Sequence, residues 1–483
     1  MQQATVETPS PTVACAEEKR QLCRDIISGT SGMISAGKRW LPQHLGESDA
    51  NYKARLGSNI LTNFLSQAVD KQVGKIFSKP ITLCDNVPPE IISLCENIDR
   101  QGCGLDSFAM DVCKAAFVDG ISYILADYPK VDGVLTLADE KNLGARPYAV
   151  HVKACCLLEV LAEQIGGVET ITRIRVKECT MQPGDGWSYN EVEQVRVLRR
   201  EPDGSIWYEL WQEIENNNAS GVSDQWVKIE EGKTAFKAIY LIPIYTNRTG
   251  FMQGLPPNQA IAELNLRHWR SMSEQINALS FQRFAMLSAI GITEESTVLI
   301  GPSKLLRSPN PEAKFSFVEP TGKGVEMGRL DLESIEKAIE TASATLRVER
   351  GGQVTATAAA IDSNETNAGL KAIAGGIKDS LEQLLMAFAE MMGKGADQGG
   401  EVDVCQEFGE SKGTAQGLQS LDKARALGDL SRDNYLKALI WRGELDEDFD
   451  LDINAEELSS EGPSLADMQQ QKPMAGGGDN AGT

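Results

Sequence analysis

RVERGGQVTATAAAIDSNETNAGLKAIAGG occupies residues 347–376, and its reading decides how the chain is understood. It lies between two stretches with helical periodicity. Upstream, over residues 331–350, Leu332, Ile335, Ile339, Ala342 and Leu346 keep a single face. Downstream, over residues 363–393, Leu370, Ile373, Ile377, Leu381, Leu384, Phe388 and Met391 do the same. Asp362 and Glu365 stand in capping-box spacing and predict the start of the second helix. Between them, residues 351–362 carry a glycine pair and small, uncharged side chains. That composition predicts a hinged connector, and structureless connectors of such length are uncommon unless functional or disordered.

Moving towards the N-terminus, Pro256-Pro257 opens a third helical stretch, residues 256–289, with Ile261, Leu264, His268, Met272, Ile276 and Leu279 on one face. A helix of about 30 residues is a rod of roughly 45 Å. The strand-like pieces TVLIGP and AKFSFVEP follow within residues 290–328. Residues 51–255 read as one α+β region. A helix-periodic segment ends at Pro80, GISYILADYP reads as a strand, and VETITRIRVKE and VEQVRVLRRE alternate as strands do. PDGS at 202–205 is a hairpin turn before IWYELW, and residues 237–247 form a further strand that contains Pro243. Residues 1–50 read as a polar arm with one short helix over 17–28. At the other end, residues 394–415 read as a glycine-rich loop and 418–442 as a helix pair broken near Gly428. Residues 466–483 are of low complexity and predicted to be disordered.

A net charge of −22 disfavours a protein that grips DNA, while leaving room for one that lets DNA slide past. The ten cysteines form no CxxC pair, and with only His44, His151 and His268 no zinc site is expected. The expectation is reduced thiols and no cofactor or metal. The N-terminus lacks a signal-peptide core, and the longest apolar run, residues 238–245, is too short to span a bilayer. GxxxxGK[ST], GxSxG and HExxH are all absent, so no ATPase, hydrolase or zincin chemistry is indicated. Asp446, Asp448, Asp450, Asp452, Asn454 and Glu457 fit the spacing of a calcium loop. Leu451, however, stands where that loop needs glycine, and nine acids without a base between residues 444 and 461 match such a template by chance.

Several blocks together resemble the portal proteins (head-to-tail connectors) of tailed bacteriophages, in a subgroup known only as an uncharacterised phage domain family. They are LP at 41–42, Glu47, YKARL at 52–56, VGKIFSKP at 73–80, NIDRQGCGLDSF at 97–108, DGISYILADYP at 119–129, RPY at 146–148, His268-Trp269 and IGPSKLL…FSFVEPTGKG. The similarity covers about residues 35–460 and rests on the order of the blocks rather than on any one of them.

The resemblance implies a ring of about twelve subunits at one capsid vertex. Double-stranded DNA would be packaged and ejected through it. The implied parts are an N-terminal arm (1–50), an α/β wing (51–255), a stem helix (256–289), a small β clip (290–328), a second stem helix (329–350), a tunnel loop (351–362), a long wing helix (363–395), a helical crown (396–465) and a tail (466–483). The implied partners are other copies of the chain, the terminase large subunit, a head–tail adaptor, and major capsid and scaffolding proteins, with no membrane. The implied location is the virion, after assembly in the host cytoplasm.

By position, Arg347, Arg350, Gly351, Gly352, Gln353, Thr355 and Thr357 would face the channel. Glu333, Glu336 and Glu340 would line it and repel phosphate; the competing reading is a solvated helix face with acids near the favourable end of the helix dipole. Lys304, Arg307, Pro309 and Lys314 would dock partners through the clip. Arg347 and Arg350 also serve a plain structural role, complementing a helix C-terminus before Gly351. Two rival readings are a nucleic-acid-processing enzyme using the acidic C-terminal carboxylates, and a channel-less capsid or scaffold protein.

Overall fold

The computed structural model describes residues 5–129, 144–218, 221–283, 286–290, 312, 314–318, 322–344, 356–406, 415–441, 444–445, 449, 451 and 453–454. The chain divides into two units, Met1–Phe408 and Gly409–Thr483. It is an α+β protein whose sheets are all antiparallel among the described residues.

The first unit is organised around the strand Ile121–Asp127, every residue of which is buried. It lies between Tyr148–Val152 and Leu241–Tyr245 in a three-stranded sheet. Because successive side chains point to opposite faces, this one strand feeds two cores. Ile124 and Ala126 enter a large core made mainly by helices, while Ile121, Tyr123 and Leu125 enter a second core shared with a larger sheet. Pro243 is tolerated because its strand is at the edge of the sheet, where the missing N–H interrupts no ladder. Its carbonyl accepts a 2.8 Å bond from Ser380 Oγ.

Inserted between Val152 and Leu241 is a five-stranded meander in chain order: Leu157–Ile165, Val168–Pro183, Tyr189–Arg200, Ile206–Asn218 and Gly221–Lys233. The hairpin expected at PDGS forms. Gly204 adopts φ +85°, Glu201 N donates to Ser205 O at 2.8 Å, and the Asp203 carboxylate accepts from Ser205 N.

The N-terminal region is part of the main body rather than an arm. Its helix Pro11–Ile27, capped by Ser10, is longer than the sequence suggests and buries Leu22, Cys23 and Ile26 in the large core. Arg20, 3% exposed, donates through Nε to Asp119 O at 2.9 Å and through Nη2 to Gly254 O at 2.7 Å. Arg24 pairs with Asp119 at 2.7 Å. The periodicity of this helix is diluted by arginines whose apolar stems and charged heads find their partners about a hundred or more residues away.

Residues 394–415 also depart from the loop reading. Val402–Asp403 pairs with Thr82–Leu83, and Val402 and Val404 are buried. The two valines carry enough apolar surface to seat a short strand among glycines. In the second unit, Ala415–Leu427 and Arg432–Trp441 are the expected helix pair, separated at Gly428, which adopts φ +81°.

One pH response follows from the three-stranded sheet. His151 Nε2 lies 2.8 Å from Ser122 Oγ, and burial lowers the imidazole to about 4, with Lys153 adding to the shift and Asp111 opposing it. The folded state therefore favours neutral His151. Its contribution is complete above the unfolded value near 6.5 and is lost as pH falls towards 4, about 3 kcal/mol in all. Urea titrations at pH 7 and pH 4.5 are expected to show a smaller stability loss for His151→Gln than for the unchanged protein.

Candidate functional site

The candidate site is the helical hairpin formed by Gln259–Arg283 and Lys323–Ala344. Between the two helices, Met286–Ile290 and Lys314–Val318 form an antiparallel two-stranded ribbon in register from Met286↔Val318 to Ile290↔Lys314. The order helix, β ribbon, helix is as the sequence suggests, but the boundaries differ. The first helix stops at Arg283 because Met286–Ile290 pairs as a strand instead of continuing it. The second starts at Lys323, well before the expected start at 329–331, and Gly322 at φ +72° precedes it.

The base of Gln259–Arg283 is bolted into the large core. Trp269, fully buried, is its largest side chain. Around it runs a set of long-range polar bonds. Asn59 Nδ2 donates to Trp269 O at 3.0 Å, Asn265 receives Leu65 N and donates to Thr62 O, and Asn258 and Gln72 exchange side-chain amide bonds. Arg55, itself buried, pairs with Glu47 at 2.8 Å and donates to Pro42 O and Ser273 Oγ. The Arg55 guanidinium holds Glu47 well below the usual carboxylate range, at about 2. Periodicity alone marked Ile261 and His268 but missed Asn265 and Trp269. The dipeptide His268-Trp269 was the available signal.

Beyond Ser273 burial declines, and the two helices cover chiefly each other. They approach closely at Gly328, where a Cβ would fall 2.1 Å from Gln275 Oε1; the Gln275 amide donates to Val325 O at 2.9 Å. The outer part exposes large apolar side chains: Met327 is 66%, Leu330 45% and, in the ribbon, Ile290 63% accessible.

The acids of the second helix are less free than a repulsive lining would require. Asp331 pairs with Arg267 at 2.9 Å and accepts from Ser271 Oγ. Glu336 lies 3.2 Å from Nε2 of the buried His268, whose ring packs edge-on against Phe64. Glu333 pairs with Arg329 one turn earlier. Glu340 is exposed. Of the positions expected to dock partners, Lys314 is exposed in the ribbon, whereas Lys304, Arg307 and Pro309 lie outside the described residues.

The expected connector is also revised. The third helix runs Ala356–Met391, so Thr357 and Asp362 lie within it rather than at its start. The run Ala356–Ala360 is rich in alanine, the strongest helix former, and extends the helix N-terminally. Arg347, Arg350, Gly351, Gly352, Gln353 and Thr355 lie outside the described residues. Farther along, Leu370, Ile377, Leu381, Leu384 and Phe388 are buried as the periodicity requires.

A cavity of about 640 Å³ lies between the meander and the end of this third helix. Several of its ionic groups are engaged. Arg196 bridges Asp127 at 2.7 Å and Glu178 at 2.9 Å, Tyr148 donates to Asp127, and Tyr240 and Lys237 converge on Glu390. Burial raises the Glu178 carboxyl against the pull of Arg196. Among the described residues, no cluster of three or more His, Cys, Asp or Glu could hold a metal ion, and no helix is long and apolar enough to cross a membrane.

Residues 257–392, which contain this hairpin and the third helix, match the model of a family described as a domain of unknown function, DUF4055. No curated protein matches the sequence. Similar solved structures come from gene transfer agent (GTA) particles. The neck of a native GTA particle computed with C12 symmetry aligns over 79% of this chain and 89% of its own, at 11% identity and a TM-score of 0.37. The neck of an empty GTA particle computed with C6 symmetry aligns over 86% and 99%, at 12% identity and a TM-score of 0.37. A chain of the native GTA virion aligns over 86% and 99%, at 12% identity and a TM-score of 0.39.

Proposed function

We propose that this chain is the subunit of a portal-type ring, a structural conduit for double-stranded DNA at one vertex of a phage capsid, and not an enzyme. The observation that carries the reading is the helical hairpin. Its base is fixed in the core by Trp269 and by polar bonds to Asn59, Thr62, Leu65 and Gln72, while its outer half leaves Met327, Leu330 and Ile290 uncovered. A neighbouring copy in a closed, head-to-tail ring would cover such a surface on every subunit. The block resemblance in the sequence, and the order of helix, β ribbon, helix and long helix, support the same assignment.

In this reading the ribbon Met286–Ile290/Lys314–Val318, with the residues between its strands, is the clip that docks terminase and later the head–tail adaptor. The two hairpin helices would be the stem, residues 51–255 the wing, and the tunnel loop would fall within residues 351–362, of which Ala356 onwards belongs to the helix Ala356–Met391. The ring would hold about twelve copies. Capsid and scaffolding proteins would surround it in the virion. The lining would repel phosphate through Glu336 and Glu340, with the charge of Glu333 partly offset by Arg329.

Negative-stain images and native mass spectra of the purified full chain test this. Rings with a central hole are expected. Replacing Met327 and Leu330 together by Glu is expected to shift the population from rings to monomers while leaving the far-UV circular dichroism unchanged. A compact monomer at high concentration in every salt condition would overturn the proposal.

A further inference from the structure

Cys155 and Cys156 are adjacent in the short 3-10 turn Ala154–Cys156, one of two connections between the three-stranded sheet and the meander. Cys156 N donates to Lys153 O at 2.9 Å, which closes the turn and brings both side chains to one side. The two sulfurs are 3.8 Å apart. Their environments differ: Cys155 is exposed, and Cys156 is half-buried. Cys155 lines a cleft of about 470 Å³ with Val13, Glu17, Arg39, Trp40 and Leu158. That cleft lies against the N-terminal helix, whose start is tied to the meander by Ser10 N donating to Leu158 O at 2.8 Å.

We infer that Cys155 and Cys156 form a redox site in which Cys155 attacks a low-molecular-weight disulfide and Cys156 resolves the product. In the first step the Cys155 thiolate attacks one sulfur of the small disulfide, that S–S bond breaks, and one thiolate leaves. In the second the Cys156 thiolate attacks Cys155 Sγ, the mixed disulfide breaks, and the second thiolate leaves. The two protons given up by the cysteines end on the two released thiols. The protein loses two electrons and the small disulfide gains them.

The roles follow from access and charge. Only the exposed sulfur meets a solute freely, and the partner beside it is placed for the second attack. The contact with the Cys156 sulfur holds the Cys155 thiol below the ordinary range, against burial; Arg24 and Lys153 add to that effect, and Asp119 opposes it. A bond between sequence neighbours forces the α-carbons closer than most disulfides accept. Such bonds are the reducible ones, suited to reversible control. Closing it would rework the turn that carries the start of the meander and the anchor of the N-terminal helix.

Excess oxidised glutathione, followed by rapid alkylation and mass analysis of the tryptic peptide covering residues 154–173, tests the assignment on the full folded chain. The unchanged protein is expected to lose both free thiols in that peptide, with the mass of two hydrogens removed and no glutathione attached. Cys156→Ser is expected to trap one glutathione on Cys155. Cys155→Ser is expected to react at least tenfold more slowly. A stable glutathione adduct on the unchanged peptide would overturn the resolving step, and faster trapping in Cys155→Ser than in Cys156→Ser would overturn the roles.

Discussion

Gly120→Ala is expected to destabilise the first unit by about 2–5 kcal/mol, enough to leave little folded protein at moderate urea. Gly120 follows the helix Leu105–Asp119 and adopts φ +85°, where any side chain is strained. Space forbids one as well, since a Cβ there would fall 2.1 Å from Leu255 O. The same spot cannot relax outward, because Gly120 O accepts from both Thr246 N and Asn247 N, and Arg20 grips the adjacent Asp119 and Gly254 carbonyls. Gly254 is pinned in turn, its own Cβ position lying 2.5 Å from Gly120 O. Gly74 is the control. It lies within the helix Phe64–Ile76 with nothing within 4 Å of a Cβ, so Gly74→Ala is expected to stabilise by about 0.5–1 kcal/mol. Urea midpoints that shift alike for the two variants would show that the Gly120–Leu255 crossing is not as tight as described.

Trp269→Ala is expected to cost about 3–5 kcal/mol, because it opens a large cavity where the first hairpin helix enters the core. Trp269 is fully buried and is surrounded by groups already committed elsewhere. Its carbonyl takes Asn59, its neighbour His268 faces Phe64 and Glu336, and Asn265 holds the Leu65 and Thr62 backbone. Such a polar cage cannot collapse into the space without breaking bonds. Trp269→Phe retains much of the ring and is expected to cost about half as much. Under the portal proposal, the alanine variant is also expected to assemble poorly, since the outer part of the hairpin is aimed by this base. Loss of stability with ring assembly unchanged would separate the core role from the assembly role.

Much of the secondary structure was legible in the chain itself. Apolar residues three and four apart marked the helices that contain Leu332, Ile335 and Ile339, and Leu370, Ile377, Leu381, Leu384 and Phe388, and these residues are buried. Alternation marked the strands of the meander, and PDGS marked its turn. Each of these signals is local, because helix and strand periods are set by backbone geometry within a few residues. The sequence also carried the order of helix, β ribbon and helix, and the block resemblance on which the portal reading rests.

Helix ends were less legible, as the starts at Ala356 and Lys323 show, because propensity near a terminus competes with capping signals of similar strength. What only the tertiary structure decided is which polar residues are internal. Arg20 reads as the polar face of an arm until Asp119 and Gly254 are brought to it. Asn59, Asn265 and Gln72 carry no periodic signal of burial, and they cross-bond across about two hundred residues. Glu333 and Glu336 read as a repulsive lining until Arg329 and His268 stand beside them. A buried polar group is paired by whatever donor or acceptor the fold places against it, and that partner leaves no periodic trace near the residue itself.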